Sequence, residues 1–106
     1  MRFAVGIPNL GAYADPRVLA DLARLAEESG WDAVFCWDHL SRHGEPATDP
    51  QVALAAIAMA TERVRLGAMV TPLARRRPAK FARETAALDR LSGGRLVVGV
   101  GLGAHD

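Results

Sequence analysis

Polar and apolar positions follow two alternating patterns along the chain. Four short apolar runs, at residues 3–7, 33–40, 64–70 and 96–100, are rich in β-branched and small residues and end in turn-forming or polar positions. They predict four strands. Between the first two runs, Val18, Leu19, Leu22, Leu25 and Ala26 recur at helical spacing. Asp15-Pro16 supplies a cap with proline at the first helical position, and Gly30 stops the predicted helix. Its other face carries Arg17, Asp21, Arg24 and Glu28, opposite charges at i,i+4 spacing that suit a solvated surface.

Asp49-Pro50 repeats the cap-plus-proline device ahead of nine consecutive apolar residues, beginning at Val52 and ending at Ala60. A helix apolar on every side cannot turn one face to water in the usual way. This one is expected to lie against a further segment or a second chain, which makes a homo-oligomer the natural expectation. Pro78 opens a third helix with Phe81, Thr85, Leu88 and Leu91 on one face, stopped at Ser92-Gly93-Gly94.

The strands begin near Phe3, Ala33, Val64 and Leu96, a spacing of roughly 31 residues. Regular strand–helix alternation predicts an α/β fold of parallel βα units with right-handed crossovers. Eight such units would make about 250 residues, the usual size of a TIM-type (β/α)8 barrel. The expected architecture is therefore a single incomplete domain, the first four strands and three helices of such a barrel. An open sheet of this kind should leave two parallel edges and an uncovered apolar face.

A net charge of +1 provides no field to attract nucleic acid or an anionic membrane, although the basic residues are twelve Arg against one Lys. The single cysteine, Cys36, cannot form an intramolecular disulfide and sits in an apolar run, as a buried thiol in a reducing cytoplasmic compartment would. No apolar segment has the length of a membrane span, and the apolar N-terminal run is too short for a signal peptide.

The candidate chemistry lies where the second apolar run ends in Asp38-His39, because parallel α/β proteins gather their sites at the C-terminal rims of strands. Histidine ordinarily titrates near neutral pH, at about 6.5, which suits proton exchange. His39 can equally be a hydrogen-bonded rim residue, and Asp38 can orient His39, accept from a cofactor or cap the following loop. Arg75, Arg76 and Arg77 can meet a phosphate or an acidic coenzyme tail, or lie solvated in a loop. His39 and His43 are four apart in a loop context, and a third metal ligand would have to come from His105 or Asp106, so no metal is expected. Residues 99–104 superficially satisfy the dinucleotide fingerprint, but no helix follows to receive a pyrophosphate.

Several separated segments then point one way: Trp37-Asp-His-Leu40, Thr61-Glu-Arg-Val-Arg-Leu-Gly67, Thr71-Pro-Leu73, Leu88-Asp-Arg-Leu-Ser-Gly-Gly-Arg95 and Val98-Gly-Val-Gly-Leu-Gly103. Together, and in this order, they resemble the luciferase-like flavin-dependent oxidoreductases over the first four strands of that family's barrel. The resemblance implies FMN, or alternatively the deazaflavin coenzyme, held at the C-terminal mouth with a small organic substrate, for hydride or oxygen transfer. It also implies that Asp38 and His39 lie near the ring, with His39 as catalytic acid or base. A non-prolyl cis peptide is implied at Ala68-Met69, forming a bulge behind the ring, and Gly101 and Leu102 are implied to bring backbone close to the cofactor. Family members commonly dimerise through their second and third helices. Some sugar-phosphate-oxidising deazaflavin members place an acidic residue directly after the last glycine, where this chain has Ala104, so the resemblance does not extend to that reaction. Two other classes stay open: an oligomeric half-barrel scaffold without cofactor, and a Rossmann-like nucleotide-binding domain.

Overall fold

A computed structural model describes residues 1–104 of the chain. Four strands and three helices alternate: β1 (Ala4–Ile7), α1 (Pro16–Glu28), β2 (Ala33–Cys36), α2 (Pro50–Ala60), β3 (Arg65–Pro72), α3 (Pro78–Leu91) and β4 (Leu96–Gly101). The sheet order is β1-β2-β3-β4 and every pair is parallel. That sequential order, without a reversal point, is the order of a partial (β/α)8 barrel. It removes the crevice at which a Rossmann-like sheet binds its nucleotide.

Proline starts all three helices, and two carry the expected acidic caps: Asp15 accepts from the Arg17 amide at 2.9 Å and Asp49 from the Val52 amide at 3.0 Å. The core lies between the sheet and the helices. Ile7, Val34, Cys36, Leu66 and Ala68 project from the strands onto Leu19 and Ala23 of α1, Leu54 and Ile57 of α2, and Leu88 of α3. Cys36 is fully buried, and its thiol is pushed up to about 12, first by burial and then by the charge of Asp38, so it is inert at neutral pH.

The apolar character of α2 is largely absorbed by this packing. Ala53, Leu54, Ile57 and Ala58 are buried, while α1 flanks the helix on one side and α3 on the other. Val52 and Met59, seven residues apart and hence on one line of the helix, remain exposed. In α3 the expected apolar face is only partly used: Leu88 is buried, but Leu91 is exposed. β1 and β4 are the open edges, and Val98 and Val100 of β4 are exposed.

The lower end of the sheet, where the strands begin, is held by charged side chains bonded to backbone. The Glu27 carboxylate at the end of α1 accepts from the amides of Glu62, Arg63 and Val64, with contacts down to 2.7 Å. Burial works to raise the carboxyl, but the three amides and the Arg63 charge outweigh it and hold Glu27 below its ordinary value. A lowered folded value means a stabilising contribution present above the unfolded pKa and lost as pH falls through the folded one. Urea midpoints measured between about pH 5 and pH 3 should therefore fall more steeply for the parent chain than for Glu27→Gln. Parallel curves would remove Glu27 from this role.

Candidate functional site

β2 ends at Cys36, four residues short of the predicted run, so Trp37 to Leu40 leave the sheet as a rim loop. The ladder with β1 stops there, its last bond running from the Trp37 amide to the Ile7 carbonyl at 3.0 Å. Beyond that point side chains take over. Asn9, fully buried in the loop after β1, accepts from the His39 amide at 3.1 Å and donates to the His39 carbonyl at 2.9 Å and to the Thr48 carbonyl at 2.8 Å. The His39 ring stands edge-on to Trp37, with centroids 5.6 Å apart and an interplanar angle of 66°.

Asp38 finds its partners in the loop after β3. Its side chain, 2% exposed, forms an ion pair with the Arg76 guanidinium, which also lies 3.9 Å from Asp49 at the start of α2. Arg75 donates to the Asp38 carbonyl at 2.6 Å and stands 3.7 Å from its carboxylate. A carboxylate this buried needs a paired cation, and the loop after β3 supplies two. Arg76 is thus drawn into the rim and half-buried, whereas Arg75, although it reaches Asp38, remains exposed, as does Arg77.

The bulge of β3 falls one peptide later than the resemblance implied. The cis bond is Met69–Val70, not Ala68–Met69, and the pairing with β4 shifts register between Ala68 and Thr71. Ala68 belongs to the core, with its side chain buried on the helix side of the sheet, because it still pairs in register with Val98 before the irregularity begins. The glycines of β4 serve this bulge. A Cβ at Gly99 would lie 2.8 Å from the Ala68 carbonyl oxygen, and one at Gly101 would lie 2.5 Å from Val70 Cγ2. Close strand approach, more than exposure to a ligand, therefore accounts for Gly99 and Gly101.

These elements enclose an open cleft of about 390 Å³ at the C-terminal rim, within the usual range for small-molecule sites. Its walls are Trp37, Asp38, His39 and Arg42 on one side, and Met69, Val70 and Pro72 on the other, closed by Gly103 and Ala104. Of the residues proposed from sequence, Asp38, His39 and Met69 line it. Ala68, Gly101 and Leu102 do not, and Val70, Gly103 and Ala104 stand in their place. Gly103 has φ +80 and a Cβ there would come within 2.9 Å of Pro72, so only glycine fits this corner. An apolar wall facing a polar edge suits a flat ring with hydrogen-bonding groups on its rim.

A second cleft of about 440 Å³ shares Trp37 and Arg42 with the first and is bounded by Tyr13, His43 and Glu45. His105 and Asp106 lie outside the described residues; among the described residues no group of three His, Cys, Asp or Glu side chains is placed to hold a metal ion. No described helix is long and apolar enough to cross a membrane. Asn9 was missed from the sequence because a single Asn after Pro8 reads as turn chemistry.

Comparison with known proteins agrees with this fold. The chain is 46% identical over 94 residues to an F420-dependent glucose-6-phosphate dehydrogenase of Nakamurella multipartita, an alignment covering 83% of this chain and 27% of that protein. Among solved structures, the coenzyme F420-dependent tetrahydromethanopterin reductase from Methanopyrus kandleri superimposes with a TM-score of 0.84 at 27% identity, over 97% of this chain and 27% of that one. The oxygenating constituent of 3,6-diketocamphane monooxygenase from Pseudomonas putida, in complex with FMN, gives 0.83 at 25% identity, over 99% of this chain and 30% of that one. The chain thus spans less than a third of the length of each. The model of the luciferase-like monooxygenase family matches residues 1–106, and the chain belongs to that family.

Proposed function

We propose that the chain forms the ring-binding part of a deazaflavin-dependent oxidoreductase that moves hydride to or from a small organic substrate. The observation that carries this reading is the placement of His39 across one cleft from the β3 bulge between Ala68 and Thr71. The coenzyme, when bound, supplies two-electron hydride chemistry. Met69, Val70 and Pro72 offer it an apolar backing, and Gly103 leaves the space that a side chain would fill. His39 exchanges a proton with the substrate oxygen through an imidazole nitrogen, taking it as an alcohol is oxidised and returning it in the reverse direction. Deazaflavin is preferred to FMN because the 46%-identical relative uses F420, whereas the FMN-bound neighbour is 25% identical. FMN with oxygen transfer is the second reading, favoured by that neighbour's near-equal structural match. A sugar phosphate is the substrate class in the 46%-identical relative's name, but Ala104 at the mouth lacks the acidic group that some sugar-phosphate-oxidising members place after the last glycine.

The reading also carries a cytoplasmic location and a homo-oligomer, the latter resting on the exposed line of Val52 and Met59 along α2. Titration with F420 and with FMN, each oxidised and reduced, is expected to show tighter binding of F420. Absence of binding by every form at millimolar concentration would favour a scaffold without cofactor. In a turnover assay with F420 and small alcohols, His39→Gln should lower kcat by about 100-fold with little change in coenzyme affinity. Unchanged kcat would remove His39 from the acid–base role.

A further inference from the structure

We propose that Asn9 is a positioning residue for His39: a buried amide that extends the β1–β2 ladder in side-chain form and fixes the histidine at the mouth of the cleft. The inference rests on the reading of His39 as the acid or base, but it concerns only what holds that residue.

The backbone ladder ends at the bond from Trp37 to Ile7. Two residues later His39 needs partners for both its amide and its carbonyl, and no strand is there to provide them. Asn9 supplies both from one side chain, through Oδ1 and Nδ2. Its second amide proton goes to the Thr48 carbonyl, while its own carbonyl accepts from the Thr48 amide at 2.9 Å. All three bonds are made by a side chain with no solvent exposure of its own, the one to Thr48 fully buried and the two to His39 part-buried, so the amide cannot turn without losing a buried bond.

The loop carrying His39 is thereby tied at both ends to the loop after β1, and an isolated bridge between Leu10 and Ala47 extends the tie. Fixing the backbone of His39 sets the origin from which its ring reaches the cleft, where the ring stands edge-on to Trp37. An aspartate at position 9 would keep the acceptor, lose both donors and bury a charge. An alanine would leave three backbone groups without their partner.

A merely structural Asn9 would change stability alone, whereas a positioning residue must change the environment of the His39 ring. Histidine-labelled chain has three imidazole signals, from His39, His43 and His105, and His39→Gln identifies the first. In the parent chain the His39 signal should be displaced by the Trp37 ring current and lose that displacement in Trp37→Leu. In Asn9→Ala the displacement is expected to fall by about half or more, as the ring loses its fixed distance from Trp37. Asn9→Ser, which can restore one bond, should give an intermediate result.

A folded Asn9→Ala with unchanged displacement would overturn the proposal, whatever its Tm. If Asn9→Ala does not fold, Asn9→Ser decides on the same readout, and failure of both to fold would make Asn9 structural and overturn the proposal as well. The measurement uses neither coenzyme nor turnover. Unchanged kcat in His39→Gln would thus sink the catalytic reading without deciding this one.

Discussion

Replacing Arg95 by methionine should destabilise the chain by about 3 kcal/mol and lower its Tm by about 15 °C. Arg95 stands just before β4 and its guanidinium reaches three elements. Nη2 donates to the Ala58 and Thr61 carbonyls at 3.0 Å each, closing the C-terminal end of α2. Nη1 donates to Thr61 Oγ1 at 2.8 Å and to the Val64 carbonyl at 3.0 Å, and Nε to the Ser92 carbonyl at 2.5 Å. Methionine keeps the apolar stem, so the loss isolates the charged bonds and the favourable placement of a cation at a helix C-terminus. Arg95→Lys should recover only a minor part, because one ammonium group cannot reach acceptors spread around a planar fork. Urea unfolding of the three proteins tests this; full recovery by lysine would show that charge alone, without the fork, is what matters.

Gly67→Ala should cost about 3 kcal/mol or more, from a single added methyl group. Gly67 lies in β3 between Phe35 of β2 and Val97 of β4. A Cβ there would stand 2.1 Å from the Val97 carbonyl oxygen and 3.1 Å from its carbon. Both are backbone atoms of the neighbouring strand, so relief requires β4 to move and not merely a rotamer change. Gly6→Ala is the matched control, since a Cβ at Gly6 meets nothing within 4 Å. It should lie within about 0.5 kcal/mol of the parent. Equal midpoints for the two variants in urea would show that β4 yields at little cost.

The sequence carried the fold well because its signals were local. Asp15-Pro16, Asp49-Pro50 and Pro78 marked the helix starts, and the β-branched runs marked strands whose order then followed from simple crossovers. The all-round apolar α2 was harder, since its burial depends on which neighbours flank it, and only Val52 and Met59 are left uncovered. The cleft was legible at Asp38 and His39, which both line it, because a strand's end is visible in composition. It was less so wherever one residue of register decided the outcome: the cis bond at Met69–Val70 and the shift of the cleft wall from Gly101 and Leu102 to Gly103 and Ala104 depend on a bulge that composition does not encode. The pairing of Asp38 with Arg76 and the clamp by Asn9 join residues 38 and 30 positions apart, beyond the reach of any local pattern.

The charged anchors at Glu27 and Arg95 bond mostly to backbone at the end of the sheet where the strands begin, while Asn9, Asp38 and Arg76 bond at the opposite end. Backbone acceptors and donors survive almost any change of neighbouring side chain. The lower set can therefore stay constant while the upper loops diverge, and this separation lets the rim change shape without the chain first having to relearn how to fold.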